Sequence, residues 1–399
     1  MKNKNVTSFE TNIFTLGQLA DYINGRAFKP EEWETQGLPI IRIQNLTKSS
    51  SHVNYYSKQY DQKHLITNGN LLLAWSATLD VFEWDSSDAL LNQHIFKVEP
   101  NESVVLKRYY FYLIKNLIGK IRSQTHGSGM VHITKPKLLS LKVMIPSFEI
   151  QQEIVDKLDK QMAQIEIMKK DAERQKNAMN CCYKAYLQNI YSNMEKCQQK
   201  KIGDFFVTRY GLSKPSVNDP TKIPAVRMSN ISYEGDLFLD ELTYLDLSEA
   251  ELNKHKLKKN DLLFNRTNSA ELVGKTTVFD CDNTFVSVSY IVVATPKTNE
   301  INSKYVAFYL NNPEMKKYFT ENCNRAISQA NFSATKLSNI DIPIPNSNVQ
   351  NEIVHKIENM KSKISDTKQI IDHQLNVINQ LPVSILNEVF GKYELPDEV

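Results

Sequence analysis

Apolar residues recur along the chain with two different spacings. Short runs of apolar and β-branched residues, separated by Asn, Gly, Asp and Ser, predict strands joined by turns. Such runs occur in two sets, first "LPIIRI", "NLLLAW" and "HIFKV", then "DLLFN", "TTVFD" and "SVSYIVVA". Each set is followed by a segment with apolar residues three and four apart, which predicts helix: "RYYFYLIKNLIGKI" and "KYVAFYLNNPEMKKYF". The pattern therefore predicts an α+β chain with two mixed α/β domains.

A longer helical pattern follows each domain, after Pro146 and Pro345. Each covers roughly 40 residues, or about 60 Å at ~1.5 Å per residue. In the second, isoleucines recur every seven residues, a coiled-coil spacing: Ile357, Ile364, Ile371, Ile378 and Ile385. In the first, the predicted seam is Ile154, Leu158, Ile165, Met168, Ala172, Met179, Cys182 and Tyr186. Because Pro382 lacks a backbone donor, we expect a break there, with "VSILNEVF" as a separate short helix.

The two halves of the chain also share identical residues at a fixed offset of 199 positions. The pairs include Lys137 and Lys336, Pro146 and Pro345, Gln151 and Gln350, and the run "EIV" at 153–155 and 352–354. A tandem duplication explains this offset. It predicts a first domain over 1–148, a first long helix over 149–200, a second domain over 201–346, and a second long helix with a short C-terminal helix over 347–399.

The two seams have similar lengths and follow equivalent domains. They predict that the two long helices separate the domains and pack against each other as an antiparallel coiled coil. An intermolecular dimerisation coil is the alternative interpretation.

Composition and charge narrow the class of protein. The apolar runs in the 399 residues are far shorter than the ~18 residues of a membrane span, and no signal-peptide pattern is present, so we expect a cytoplasmic protein with no membrane partner. Five cysteines without paired spacing favour neither a disulfide framework nor a zinc site. The net charge is +3, with 17 basic against 12 acidic residues over 1–148 and 17 against 17 over 201–346. If DNA is the ligand, partner subunits are expected to supply part of the phosphate binding.

The sequence offers no active site and no metal site. A DNA methyltransferase needs a glycine-rich cofactor loop and an Asn/Asp-Pro-Pro-aromatic motif, whereas "NNPEM" lacks the second proline and the aromatic residue. The segment "LVGKTTVF" keeps only one end of a phosphate-binding loop, which indicates coincidence. The closest histidines, at 94, 126 and 132, have no partner at ligand spacing.

Several segments together resemble the specificity subunit of type I restriction-modification systems. They are "GRAFKPEEW", "GLPIIRIQNL", "NGNLLLAWSATL", "LLNQHIFKV" and "HGSGMVHITKPKLLSLKVMIPSFEIQQEIVDKLD". The resemblance covers essentially the whole chain and is weaker in the second domain, which keeps "VRMSNI" and "DLLFNR" but has "VSY" in place of "NQH".

The resemblance implies a non-catalytic subunit that binds double-stranded DNA. Each target recognition domain would bind one half of a bipartite sequence, and the helices would set the spacer. Two copies of a modification (methyltransferase) subunit would carry S-adenosylmethionine and flip the target adenine, and a restriction/translocase subunit would use ATP and Mg. This chain itself would hold no cofactor. The alternative is a stand-alone DNA-binding or anti-restriction scaffold protein of the same architecture.

Base recognition favours Arg for guanine and Asn or Gln for adenine, presented from loops. The candidate DNA-binding residues of the first domain are Arg42, Gln44, Asn45, Trp75, Ser76, Gln93, His94, His126, Gly127 and Ser128. Those of the second are Arg227, Ser229, Asn230, Arg266, Thr267, Ser289, Tyr290, Arg325 and Gln329. Because Arg42 and Arg227 occupy equivalent positions in two domains that should bind different bases, a shared framework or phosphate role is favoured over base contact for them. Trp75 fits either a core position or a contact position.

Overall fold

The computed structural model describes residues 12–75, 78–124, 134–194, 197–325 and 329–393, which form an α+β structure. The chain divides into two compact units. The first unit extends up to Ala172 and resumes at His373, and the second is Glu173–Asp372. Each unit therefore contains one mixed domain and a part of each long helix.

The first unit is built on two four-stranded sheets. The central antiparallel sheet has the strand order Ala20–Asn24, Ile95–Pro100, Leu71–Ala74, Asp80–Glu83. The second sheet has the order Asn54–Tyr56, Leu38–Ile41, Ala89–Leu91, Leu65–Ile66. A separate antiparallel pair joins Asn12–Thr15 to Lys142–Ile145. The shorter helices are Leu16–Leu19, Ile43–Leu46, Lys107–Gln124 and Lys135–Leu139.

The second unit repeats the central four-stranded sheet and the separate strand pair of the first, but its other strands form different sheets. Its antiparallel sheet has the order Phe206–Tyr210, Ile291–Pro296, Leu262–Asn265, Thr276–Val278. Two three-stranded sheets follow, Thr243–Leu245 with Ile223–Val226 and Val286–Ser287, and Thr267–Asn268 with Ala330–Asn331 and Asn324–Arg325. Gln199–Lys201 pairs with Asp341–Pro343. The shorter helices are Ile202–Phe205, Glu249–His255, Ser303–Leu310, Pro313–Asn322 and Ala334–Ser338.

The predicted helical segment of the second domain is two helices rather than one. The first ends at Leu310, and the second begins at Pro313, whose ring is tolerated in a first helical turn. The Asn312 side chain accepts a hydrogen bond from the Met315 amide at 2.9 Å and caps the second helix. Proline and this cap together explain the interruption.

The two long helices span Phe148–Ser192 and Ser347–Phe390. In the first unit, Leu158 near the start of the first helix shares a core with Leu386 near the end of the second. In the second unit, Tyr191 near the end of the first helix shares a core with Ile353 near the start of the second. Within each unit the helices therefore run antiparallel along one chain, as predicted.

A buried glutamine fixes the start of each long helix to its domain. Gln151 accepts a hydrogen bond from the Leu106 amide at 2.8 Å and donates to the Pro146 and Val104 carbonyls. Its duplicate, Gln350, accepts from the Asn302 amide at 2.9 Å and donates to the carbonyls of Pro345 and Glu300. Each side chain is about 1% exposed. The shared glutamine is thus a shared structural junction.

Part of the predicted seam in the first long helix is wrong. Met168 and Cys182 are exposed, whereas Tyr183 and Leu187 are buried. The spacing from buried Ala172 to Tyr183 is 11 residues, which departs from a strict heptad. The isoleucines of the second helix are buried or half-buried as predicted.

The predicted break at Pro382 is also wrong, because the second long helix continues through it to Phe390. Pro382 removes one helical hydrogen bond at a cost of about 3 kcal/mol. Leu386, Val389 and Phe390 lie beyond it and are buried in the core of the first unit. Their burial offsets the cost, so "VSILNEVF" is the last part of the long helix. None of the helices described here is both long and apolar enough to cross a membrane.

Candidate nucleic-acid interface

Two parallel strands of the first unit end side by side and bring distant candidate residues together. Leu38–Ile41 pairs with Ala89–Leu91, with Ile41 opposite Leu91. Arg42 follows the first strand directly, and Gln93 and His94 follow the second. The two predicted segments therefore meet at one edge of the sheet.

These segments line a cleft of about 610 Å³, called here the first cleft. It contains four predicted residues, Arg42, Gln44, Gln93 and His94. It also contains residues that were not predicted: Phe28, Trp33, Ile43, Thr47, Ser49, Thr78 and Asn92. Most of the polar members present amide, hydroxyl or imidazole groups, which can donate to or accept from base edges.

Close backbone packing supports the first cleft. A Cβ atom on Gly25 would lie 2.1 Å from the Asn92 carbonyl oxygen, so glycine is required there. Gln93 donates its backbone amide to the Arg26 carbonyl at 3.0 Å. The Gln93 and His94 side chains contact each other at 3.3 Å between their Nε2 atoms. These contacts hold the segment that follows the strand.

Trp75 belongs mainly to the core side of this region. Its ring stacks on Phe96, with centroids 5.6 Å apart and planes at 24°, and it packs against the core of the first unit. It also meets the His94 ring at 5.9 Å. Trp75 therefore packs between the core and the His94 ring. The predicted residues Ser76, His126, Gly127 and Ser128 lie outside the described residues.

The turn at Arg42 is repeated at Arg227 in the second unit. The backbone angles are φ −115°, ψ 168° at Arg42 and φ −116°, ψ 170° at Arg227. Each backbone amide donates to an asparagine Oδ1 three residues on, Asn45 at 3.0 Å and Asn230 at 2.9 Å. Asn230 is buried and also donates to two backbone carbonyls. A direct base contact from Asn230 would require these bonds to break, so the structure gives it a framework role.

The second unit presents its other candidate residues from equivalent backbone positions. The strands and turns that the two units share are called here the frame. Ile223–Val226 pairs in parallel with Val286–Ser287, which places Arg227 and exposed Ser229 near Ser289 and Tyr290. A Cβ atom on Gly211 would lie 2.2 Å from the Val288 carbonyl oxygen, the same requirement as at Gly25. Tyr290 is 43% exposed.

Arg266 and Thr267 lie in a second cluster, defined by these two residues with Tyr210, Tyr290 and Asn331. Arg266 donates its backbone amide to the Tyr290 carbonyl at 3.0 Å and its Nη2 to Asn331 Oδ1 at 3.1 Å. Thr267 is buried and accepts from Asn331 Nδ2 at 3.0 Å, so its hydroxyl positions the asparagine.

Arg325 and Gln329 are exposed near this cluster. The strands Asn324–Arg325 and Thr267–Asn268 both pair with Ala330–Asn331, and Gln329 directly precedes that central strand. Arg325 Nη2 donates to the Thr320 carbonyl at 3.0 Å.

The phosphate-loop fragment has a structural explanation. Lys275 is buried, burial lowers its pKa, and its Nζ donates to the carbonyls of Met228 and Ile231. A Cβ atom on Gly274 would lie 2.2 Å from the Phe319 ring. These residues fix the turn after Arg227 and serve packing. Among the residues described, no group of three or more His, Cys, Asp or Glu is placed to hold a metal ion.

The unpredicted contacts had little sequence signal. Trp33 directly follows a single-turn 3-10 helix, Pro30–Glu32, whose sequence has no periodic apolar pattern. Asn331 reaches Arg266 only through strand pairing across 65 positions. Tyr210 ends a strand just before Gly211, where an aromatic residue is equally typical of a core.

Comparisons with known proteins agree with this architecture. A family model described as "Type I restriction modification DNA specificity domain" matches residues 10–175 and 194–376. The type I restriction enzyme EcoBI specificity subunit of Escherichia coli is 21% identical over 410 residues, covering 94% of this chain and 84% of that protein.

Solved structures share the fold. A chain from "Structural basis underlying complex assembly and conformational transition of the type I R-M system" has a TM-score of 0.69 at 13% identity, covering 97% of this chain and 99% of that one. The HsdS subunit from Thermoanaerobacter tengcongensis has a TM-score of 0.53 at 14% identity, covering 95% and 96%. With both of its domains matched by the family model, this chain belongs to the type I restriction-modification DNA specificity family.

Proposed function

We propose that the chain is the non-catalytic DNA sequence-recognition subunit of a type I restriction-modification complex, in which each unit binds one half of a bipartite target. The observation that carries this proposal is that the two units share a backbone arrangement but present different polar side chains from it. Arg42 and Arg227 share backbone angles within about 2°. The neighbouring segments nevertheless present Gln93 and His94 in one unit and Ser289 and Tyr290 in the other. One frame carrying two sets of polar groups suits two different half-sites.

Catalysis belongs to partner subunits in this proposal. Two copies of a modification subunit would bind S-adenosylmethionine and act on an extruded base, and a restriction subunit would use ATP and Mg. The net charge of only +3 supports this division, because strong phosphate binding by one chain needs a larger excess of Lys and Arg. The double-stranded DNA would be the chromosomal and invading DNA of the cytoplasm.

The test is to express the full chain with its modification subunits and map methylated bases in the host DNA. A bipartite motif with two defined halves and a spacer of fixed length is expected. The purified chain alone should transfer no methyl group from S-adenosylmethionine. Methyl transfer by the isolated chain, or methylation without a defined motif, would contradict the proposal.

A stand-alone DNA-binding or anti-restriction scaffold is not favoured, because the family match covers both domains. Copurification separates the two functions. A specificity subunit retains modification subunits in a stable complex, whereas a stand-alone scaffold is recovered without them.

A further inference from the structure

Four arginines in the described part of the chain lie with the guanidinium group over an aromatic ring: Arg26, Arg42, Arg108 and Arg266. Arg26 and Arg108 also form ion pairs with carboxylates, which neutralise their charge. Arg42 and Arg266 have no carboxylate within ion-pair distance among the described residues. These two stacked arginines therefore keep their charge and much of their donor capacity for a ligand.

Arg42 lies over an aromatic ring in the first cleft. Its guanidinium carbon lies 4.2 Å from the centroid of the Trp33 ring, and Trp33 is 40% exposed. The ring covers one side of the guanidinium group, and Gln93 and His94 line the same cleft. A fixed planar fork of N–H donors matches the O6 and N7 acceptors of guanine in the major groove.

Arg266 is held in a comparable way by different residues. Its guanidinium carbon lies 4.6 Å from the centroid of Tyr210, whose hydroxyl accepts from the Ala334 amide at 3.3 Å. Its Nη2 donates to Asn331 Oδ1, and the hydrogen bond from Asn331 to Thr267 fixes that amide. The Nε–H of Arg266 is buried without a hydrogen-bond partner, so the donors left for a ligand are those of Nη1 and the second N–H of Nη2.

The two arginines are not duplicates of each other. The duplicate of Arg42 is Arg227, which faces the Glu241 carboxylate at 3.8 Å. Trp75, which stacks on Phe96, takes the place of Arg266 in the first unit. The free, stacked guanidinium thus stands on a different segment of the same frame in each unit.

Building on the proposed function, we infer that Arg42 and Arg266 are the guanine-specific residues of the first and second units, and that Trp33 and Tyr210 are positioning residues that orient them. Each half-site then contains a guanine contacted through O6 and N7. The two guanines are contacted from non-equivalent positions of the frame, which allows the halves to differ.

The test uses the complex of the full chain with its modification subunits and a pool of DNA duplexes with randomised bases. Selected duplexes are sequenced for the unsubstituted complex and for Arg42→Ala, Arg266→Ala and Arg227→Ala. Arg42→Ala should reduce the preference for guanine at one position of one half-site by on the order of 10- to 100-fold. Arg266→Ala should do the same in the other half-site. Arg227→Ala is the comparison at the position equivalent to Arg42: it should leave every guanine preference in place, whatever its effect on the affinity that all sequences share.

The half-site bound by the unsubstituted unit reports whether each variant is folded. Trp33→Leu should weaken the same guanine preference as Arg42→Ala, and Trp33→Tyr should restore it, because a tyrosine ring also supports a stacked guanidinium. A loss of affinity that is uniform across sequences, with a smaller salt dependence, would identify phosphate contacts and overturn the inference. No sequence preference in the unsubstituted complex would overturn the proposed function itself.

Discussion

The ammonium group of Lys316 is buried without a hydrogen-bond partner in the described structure, and its removal should stabilise the second unit. The residue is 8% exposed. Its Nζ lies 4.8 Å from the centroid of the Tyr233 ring. Burial lowers the pKa of Lys316 from 10.5 to about 7, and the nearby Lys275 ammonium adds to the lowering. Lys316→Met keeps the length of the side chain and removes the charge.

The size of the effect follows from the pKa shift. One pKa unit corresponds to about 1.4 kcal/mol, so burying this ammonium costs at most about 5 kcal/mol. Methionine loses the attraction to the Tyr233 ring, which is worth about 0.5–2 kcal/mol. Neighbouring groups also relax around a buried charge. We therefore expect Lys316→Met to raise the free energy of unfolding of the second unit by about 1–3 kcal/mol at pH 7.

The stability of the unsubstituted second unit should also depend on pH in a defined direction. Because the pKa of Lys316 is lower in the folded state, the unfolded chain binds more protons between about pH 7 and pH 10.5. The free energy of unfolding should then rise with pH in that window, by up to about 1.4 kcal/mol per pH unit. Lys316→Met should lose this contribution to the slope.

Amide hydrogen exchange of helix Pro313–Asn322 measures both effects locally. Comparing variant and parent at the same pH cancels the intrinsic exchange rate. Lys317→Met is the matched control, because the Lys317 side chain is 76% exposed and contacts Glu321 at 3.9 Å. The reasoning is refuted if Lys316→Met destabilises the helix, or if the parent and this variant show the same pH slope.

Two further substitutions test the fold. Gln151→Leu should destabilise the first unit by about 2–4 kcal/mol, because it leaves the Leu106 amide and two carbonyls without their partner. The measurement is urea denaturation followed by tryptophan fluorescence. Substitution of the exposed neighbour, Gln152→Leu, is the control. Equal midpoints for the two variants would contradict the anchoring role. Pro382→Ala should raise the free energy of unfolding measured from the same transition by about 1–2 kcal/mol, and with it the midpoint, because the restored helical hydrogen bond outweighs the greater freedom of the unfolded chain. An unchanged or lower midpoint would show that the helix is adapted to proline.

The duplicated architecture could be predicted from sequence, because identical residues at a fixed offset mark equivalent structural positions. Gln151 and Gln350 are the clearest case, since each makes the same three kinds of hydrogen bond. The seam of the second long helix was also predictable from its isoleucines. The seam of the first was not fully predictable, because the 11-residue spacing from Ala172 to Tyr183 departs from the heptad that the prediction assumed.

The site was predictable only as separate segments. Local pattern indicated Arg42 and Gln93, but their convergence depends on the parallel pairing of two strands about 50 positions apart. The Trp33 ring behind Arg42 follows a single-turn helix, and the Asn331 amide beside Arg266 lies on a distant strand; neither segment has a periodic signal. The break expected at Pro382 failed for a related reason, because tertiary burial of Leu386 and Phe390 outweighs the local preference of proline.

Methylation mapping of a domain exchange tests most directly whether each unit binds one half of the target independently. Residues 201–346 are replaced by the corresponding domain of another specificity subunit, both long helices are kept, and the complex with the modification subunits is expressed in a host. The methylated motif should keep one half-site unchanged and exchange the other for the donor's half-site. If both halves change together, or the original motif persists in a folded and active complex, the two units do not bind separate half-sites and the account is wrong.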